Sequence, residues 1–148
     1  MITTHIEKTT LKFLKDLAKN NDRVWFKASK NEYDYALANM KGLIESIETE
    51  LNKIDMIEKK KVFRIYRDVR FSKDKTPYNP RFAFGFRRAT AYRRGGYYVH
   101  IEPNNSFVGC GFFAPNADDL KRIREDIDYN YENWFTLLKT PSIANTYG

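Results

Sequence analysis

Residues 64–81 hold most of the side chains with which this sequence can do chemistry. Arg64, Arg67, Arg70, Lys73, Lys75 and Arg81 fall there, with Tyr66, Asp68 and Tyr78 among them. A guanidinium is a planar fork whose parallel N–H donors match the paired oxygens of a phosphate or carboxylate, and an ammonium adds a mobile point charge. In an extended chain Arg64, Tyr66, Asp68 and Arg70 share one face, about 6–7 Å apart in succession. That pattern casts Arg64, Arg67 and Arg70 as forks for an anion and Lys73, Lys75 and Arg81 as further donors. Tyr66 and Tyr78 would orient the ligand. Asp68 can steer an arginine or act as a base. The plainer alternative is a solvated sheet face on which Asp68 merely neutralises one arginine.

A second constellation centres on His100, with Tyr98 and Glu102 on the same side of an extended segment. Imidazole titrates near neutrality and a neighbouring carboxylate fixes its tautomer, so a Tyr–His–Glu ladder has acid–base capacity. No nucleophile pairs with His100 at a recognisable spacing, and a lone strand histidine is commonly a hydrogen-bonded structural residue. His5 stands near the N-terminus without such company. Cys110, between Gly109 and Gly111, is expected to pack as a small apolar group. With two His, one Cys and no carboxylates at ligand spacing, neither a metal nor a disulfide is expected. Glycine-rich nucleotide loops and nucleophile elbows are absent, so no cofactor is expected.

Charge sharpens the first constellation. The net charge is +7, but residues 61–100 carry 11 Lys/Arg against 2 Asp/Glu, whereas residues 1–60 carry 11 against 10 and residues 101–148 carry 4 against 7. A basic stripe between near-neutral flanks favours an anionic partner: a phosphate- or carboxylate-bearing small molecule, a nucleic-acid backbone or an acidic protein. Aromatics at 16%, interleaved with arginine, resemble the platforms that stack single-stranded bases, although the sequence patterns of RNA-recognition strands are missing. Apolar residues at 42% and charged residues at 30% indicate a globular chain. No leader and no run of roughly 18 apolar residues is present, which predicts a cytoplasmic protein that does not enter the membrane.

The elements that must position these groups emerge from periodicity. Thr9 or Thr10 is a candidate cap for a short helix with Leu11, Leu14, Leu17 and Ala18 on one face. Asp22 is a fair N-cap for the next helical stretch. Tyr33, Ala36, Leu37, Met40, Ile44, Ile47, Leu51 and Ile54 recur every three or four residues and predict a long helix over 30–54, with Trp25 and Phe26 anchored in the core at its entry. After Lys59-Lys60-Lys61 the period becomes two. The run Phe63–Phe71 reads as a strand interrupted at Arg67-Asp68, Phe82, Phe84 and Phe86 as one face of a second, residues 97–102 as a third and 107–113 as a fourth. Asn116 can cap a last helix carrying Leu120, Ile123, Ile127, Tyr131, Trp134 and Leu138, which Pro141 would end. Helices and strands kept in separate runs predict a single α+β domain over 1–148. Its antiparallel, meander-like sheet of about four strands would be packed against two N-terminal helices and one C-terminal helix.

The run Phe63–Tyr78, FRIYRDVRFSKDKTPY, resembles the signature of a bacterial and fungal family of conserved hypothetical proteins, domain of unknown function 2461. Asn20–Phe26 and Gly96–Pro103 with Ser106–Gly109 resemble it too, so the likeness spans nearly the whole chain. The resemblance implies an α+β fold and brings no catalytic residue or cofactor with it. Similar family members continue past the equivalent of Asn145–Gly148 into a further basic segment, so the chain is expected to be a short or truncated member. The function expected first is anion recognition by the stretch 64–81. An enzyme using His100 or Asp68 in the same pocket, and a non-catalytic protein-interaction module, are the alternatives.

Overall fold

The computed structural model describes residues 4–90 and 94–147. Helix α1 spans Lys8–Lys19 and buries Phe13, Leu14 and Leu17 along one stripe. Its N-cap is Glu7, not a threonine, and makes no side-chain cap bond. Thr10 is buried instead, with its hydroxyl donating to Asn39 Oδ1 at 2.9 Å, and the Glu7 amide donates to the same oxygen at 3.1 Å. One buried amide on the next long helix thus serves the start of α1. Asp22 caps as expected, accepting from the amides of Val24 and Trp25 at 2.8 Å each. It opens a separate short helix, α2 (Arg23–Ala28). Helix α3 then runs Lys30–Ile54, as the periodicity predicts, with Tyr33, Ala36, Met40, Leu43 and Ile44 buried.

Four strands form an antiparallel meander in the order β1 (Ile57–Val62), β2 (Phe82–Arg88), β3 (Gly96–Ile101) and β4 (Phe107–Gly111). The first strand lies six residues earlier than its apolar alternation suggests. Lys60, opposite Phe86 on the helix side, reaches Glu45 and Glu48 of α3 at 2.5 and 2.6 Å. An ion pair there replaces the apolar contact, so an edge strand of sequence IEKKKV shows no hydrophobic period. The run 63–71 is not a strand. After the Phe63 amide donates to Ala83 O at 2.9 Å, its only sheet-like pairing among the described residues is an isolated bridge between Tyr66 and Tyr78.

Phe82, Phe84, Phe86, Val99 and Ile101 face the helices and join Phe13, Phe26, Tyr33 and Met40 in one core. At its edge, Asp55 accepts from Arg88 Nε at 2.5 Å and from the Tyr97 hydroxyl at 2.8 Å, tying the end of α3 to β2 and β3.

Contacts divide the chain into a unit ending at Gly111 and a second beginning at Phe112. In the second, the single helix expected before Pro141 is two, α4 (Ala117–Tyr129) and α5 (Tyr131–Leu138), and a further helix, α6 (Pro141–Tyr147), follows. Asn116 caps α4, accepting from the Asp119 amide at 2.8 Å. Asn130 breaks the pattern by closing α4 back onto Asp126. Helix α5 ends at Leu138, just before Pro141, and Pro141 also opens α6, because proline's fixed φ and missing N–H suit a first helical position. Among the described residues of this unit no apolar side chain is buried. No described helix is long and apolar enough to cross a membrane.

Candidate functional site

Strand alternation decides what the sheet presents on the face away from α1 and α3. Since Phe84 pairs with Val99 on the helix side, the intervening pairs Ala83–His100 and Gly85–Tyr98 look the other way, and β4 adds Phe107 opposite His100 and Gly109 opposite Tyr98. Phe63, beyond the end of β1, lays its ring over Gly85, where a Cβ would stand 3.8 Å from the ring edge. The result is an aromatic cluster on a glycine-rich floor. Phe63 meets Tyr98 edge-on at 5.9 Å, and Phe107 stacks on the His100 ring at 4.7 Å and 17°.

Within that cluster three polar groups stand in line. Glu102 Oε2 lies 2.8 Å from His100 Nε2, and the Tyr98 hydroxyl lies 3.3 Å from His100 Nδ1. Glu102 is fixed by the tight turn into β4. Asn105 Nδ2 donates to its Oε2 at 3.0 Å, its amide donates to Ser106 Oγ at 3.0 Å, and the Ser106 hydroxyl donates to its carbonyl at 2.7 Å. Asn104 takes the left-handed conformation this turn needs, at φ 65°. The hydrogen bond from His100, helped by Asn105 and by Arg81 nearby, holds the Glu102 carboxyl below its ordinary range. The ladder expected from sequence is therefore assembled, and Arg81, expected as part of the basic stretch, lies beside it. Sequence reasoning misses Phe63 and Phe107. A connection of four residues, 103–106, would pair Glu102 with Phe107; the turn is instead Pro103-Asn104, closed by the Asn105 amide on the Glu102 carbonyl at 3.1 Å, and this sets Phe107 against His100.

The stretch 64–81 forms a loop with its legs pinned together. The Arg67 amide donates to Pro77 O at 2.9 Å and the Asn79 amide to Ile65 O at 2.7 Å. Arg67 is half-buried and binds the Asp74 carboxylate and the Thr76 hydroxyl. Hydrogen bonds from the Thr76 amide and from Arg67 bring the Asp74 carboxyl down to about 2. Arg70 grips Asp68 through two guanidinium nitrogens, at 2.9 and 2.6 Å, and this pulls the Asp68 carboxyl down. Asp68 is thus committed to an arginine, a poor position for a base. Tyr78 is buried and stacks on Phe26 at 4.0 Å, so its ring belongs to the core and not to a ligand surface. Tyr66 keeps an exposed edge while resting on Phe26 and Tyr78. Lys75 Nζ donates to Val69 O at 3.0 Å. Arg64, Lys73 and Arg81 are exposed. The regular row of forks expected from 64 to 70 does not exist, because the segment is not a strand.

Of the remaining residues, Cys110 is exposed on β4, against the expected packing role, since the helices cover the sheet at its other edge. The His5 carbonyl accepts from Asn39 Nδ2 at 3.2 Å. Among the described residues no group of three or more His, Cys, Asp or Glu is arranged to hold a metal ion.

Residues 9–148 match the model of DUF2461, a family described as conserved hypothetical protein. The chain belongs to this family. No curated protein and no solved structure matches it. In this DUF2461 member the family-like segments meet on unit 1. The run 63–78 supplies the pinned loop and Phe63, residues 96–109 supply the ladder, and residues 20–26 supply Asn21, whose side chain brackets the Tyr78 backbone at 2.9 and 3.1 Å.

Proposed function

We propose that this protein recognises an anionic ligand through the cations of residues 61–81 that the fold leaves without a carboxylate. One observation carries this reading. Among the described residues Lys61, Arg64, Lys73, Lys75 and Arg81 have no acidic group at ion-pair distance, while Arg67, Arg70, Arg87 and Arg88 each have one. Arg64 and Arg81 feel Asp68 and Glu102 without pairing to them, so the positive field is only partly compensated, and an incoming phosphate or carboxylate compensates the rest. Arg70 adds to the set, because an exposed pair with Asp68 holds weakly and a ligand oxyanion can replace it. Arg67 is the latch of the loop. The ligand class is a phosphate- or carboxylate-bearing small molecule or a nucleic-acid backbone. Tyr66 and Phe63 are the exposed rings on which a base or sugar would rest.

Calorimetric titration with inorganic phosphate, citrate and a short single-stranded oligonucleotide tests the reading. Arg64→Ala and Arg81→Ala should each weaken the best ligand about tenfold, the scale of one charged hydrogen bond. Wild-type protein that binds none of the three, or variants that bind unchanged, would end this proposal. An acidic protein partner, the non-catalytic alternative, would show instead as a complex lost on raising salt through the physiological range.

A further inference from the structure

The ladder on the open face has a direction, and the direction gives it a use. Glu102 is ionised and can only accept hydrogen bonds, so the 2.8 Å contact to His100 Nε2 places the ring proton on that nitrogen. Nδ1 then bears a lone pair, and the hydroxyl 3.3 Å away on Tyr98 donates to it. Tyrosine, histidine and glutamate stand in the order nucleophile or acid, base, orienting carboxylate, the same logic by which a hydroxyl is activated in hydrolytic triads.

The imidazole cannot meet a ligand itself. Its side chain is 6% exposed, with Phe107 stacked on the ring and Ala83 opposite it on β2. Any proton that His100 exchanges with a bound molecule must pass through the Tyr98 oxygen. Tyr98, in turn, stands between two residues without side chains. Phe63 covers the Gly85 side, and on the other side Phe107 packs against the Tyr98 ring at 5.8 Å, while a Cβ added at Gly109 would meet nothing within 4 Å. The half-buried phenol thus has its open side over Gly109, beside Phe107, and a base behind it.

We propose that Tyr98 is the acid–base group of a catalytic site on the open sheet face, with His100 and Glu102 as its positioning residues. In the forward step a ligand X–H gives its proton to the Tyr98 oxygen as the phenolic proton moves to His100 Nδ1. The X–H and O–H bonds break, new O–H and N–H bonds form, and the imidazolium is held by Glu102. Proton return runs the same steps in reverse. The charged groups facing this chain are Glu102 just past the end of β3, Arg81 from the entry to β2, and Lys61 of β1, which sits over the Phe63 ring at 4.8 Å. Asn105 of the turn and Phe107 of β4 bring no charge. The substrate class is a molecule with an exchangeable proton on oxygen, nitrogen or an activated carbon. Proton transfer through Tyr98 stands whether or not the loop cations bind an anion.

A neutral acyl donor, N-acetylimidazole, tests it on the whole chain. The Tyr98 oxygen forms the ester as the acyl C–N bond breaks, and the phenolic proton passes through Nδ1 to the departing imidazole. Peptide mapping by mass spectrometry should show Tyr98 labelled faster than Tyr129, which is far more exposed at 84% and lies outside the cluster. In Glu102→Gln and His100→Gln the rate at Tyr98 should fall below that of Tyr129. Slower labelling of Tyr98 than Tyr129 in the wild type, or labelling indifferent to Glu102→Gln, overturns the proposal. Nitrogen-15 NMR of the two histidines, assigned with His5→Gln, reads the tautomer directly. Neutral His100 should carry its proton on Nε2, with an Nδ1 signal that shifts in Tyr98→Phe. A proton on Nδ1 would reverse the chain and sink the idea.

Discussion

Alternate residues of the same strands build two unlike surfaces. Toward α1 and α3, β2 and β3 present Phe82, Phe84, Phe86, Val99 and Ile101, all buried in the core. Toward the other side they present Ala83, Gly85, Tyr98 and His100, with a carboxylate at one end and half-exposed rings above. Truncation on the first face leaves a void in close-packed hydrocarbon, whereas on the second it removes a polar group or a ring edge. Stability and chemistry are therefore separable by strand position, one residue apart.

Variants can break or sharpen that contrast. Phe84→Ala should have the largest effect, a loss of about 3–5 kcal/mol in urea unfolding, since the ring is fully buried. Gly96→Ala comes next. An added Cβ would lie 2.2 Å from the Phe86 carbonyl oxygen, and the strands must separate at a cost of about 1–3 kcal/mol. Asp55→Asn tests the tie at the core's edge by its pH dependence. Arg88 and then Tyr97 bring the Asp55 carboxyl from 3.8 to about 2, a depressed value in the folded state, so its contribution is present above pH 4 and is lost as pH falls toward 2. Acid titration of stability in Asp55→Asn should lack that limb and start from a lower plateau. On the open face, His100→Gln should cost about 1–2 kcal/mol in the same unfolding assay, the scale of lost hydrogen bonds, and less than Phe84→Ala. Smallest of all is Gly109→Ala, where the open space and ordinary backbone allow a change within about 1 kcal/mol and of stabilising sign. If Gly109→Ala destabilised as much as Gly96→Ala, the open face would not be open.

Much of this is legible in the residues themselves. The 3.6-residue period of 30–54 marks α3 because a long helix packed along one stripe has no other way to bury Tyr33, Met40 and Ile44. Phe82, Phe84 and Phe86 declare a strand face in the same manner. The ladder is readable as Tyr98, His100 and Glu102 on one side of an extended run. Misreadings arise where a distant partner overrides a local pattern. FRIYRDVRF alternates like a strand, yet Arg67 turns to Asp74 and Thr76 and closes a loop, and Lys60 keeps β1 paired to α3 by charge where the pattern expects hydrocarbon. Asn130 cuts the last helix because its capping geometry outweighs a continuous apolar stripe.

Asn21 gives the loop a mechanical character. Its two bonds to the Tyr78 backbone, with the cross-links between Ile65, Arg67, Pro77 and Asn79, clamp the base of the loop to the corner between α1 and α2. Beyond the clamp, residues 68–76 transmit little tension to the core, so a protease nick between Val69 and Lys75 should leave both stumps docked and the melting temperature nearly unchanged. Such a tip is a replaceable fitting, free to be lengthened or recharged without reworking the machine on which it is mounted.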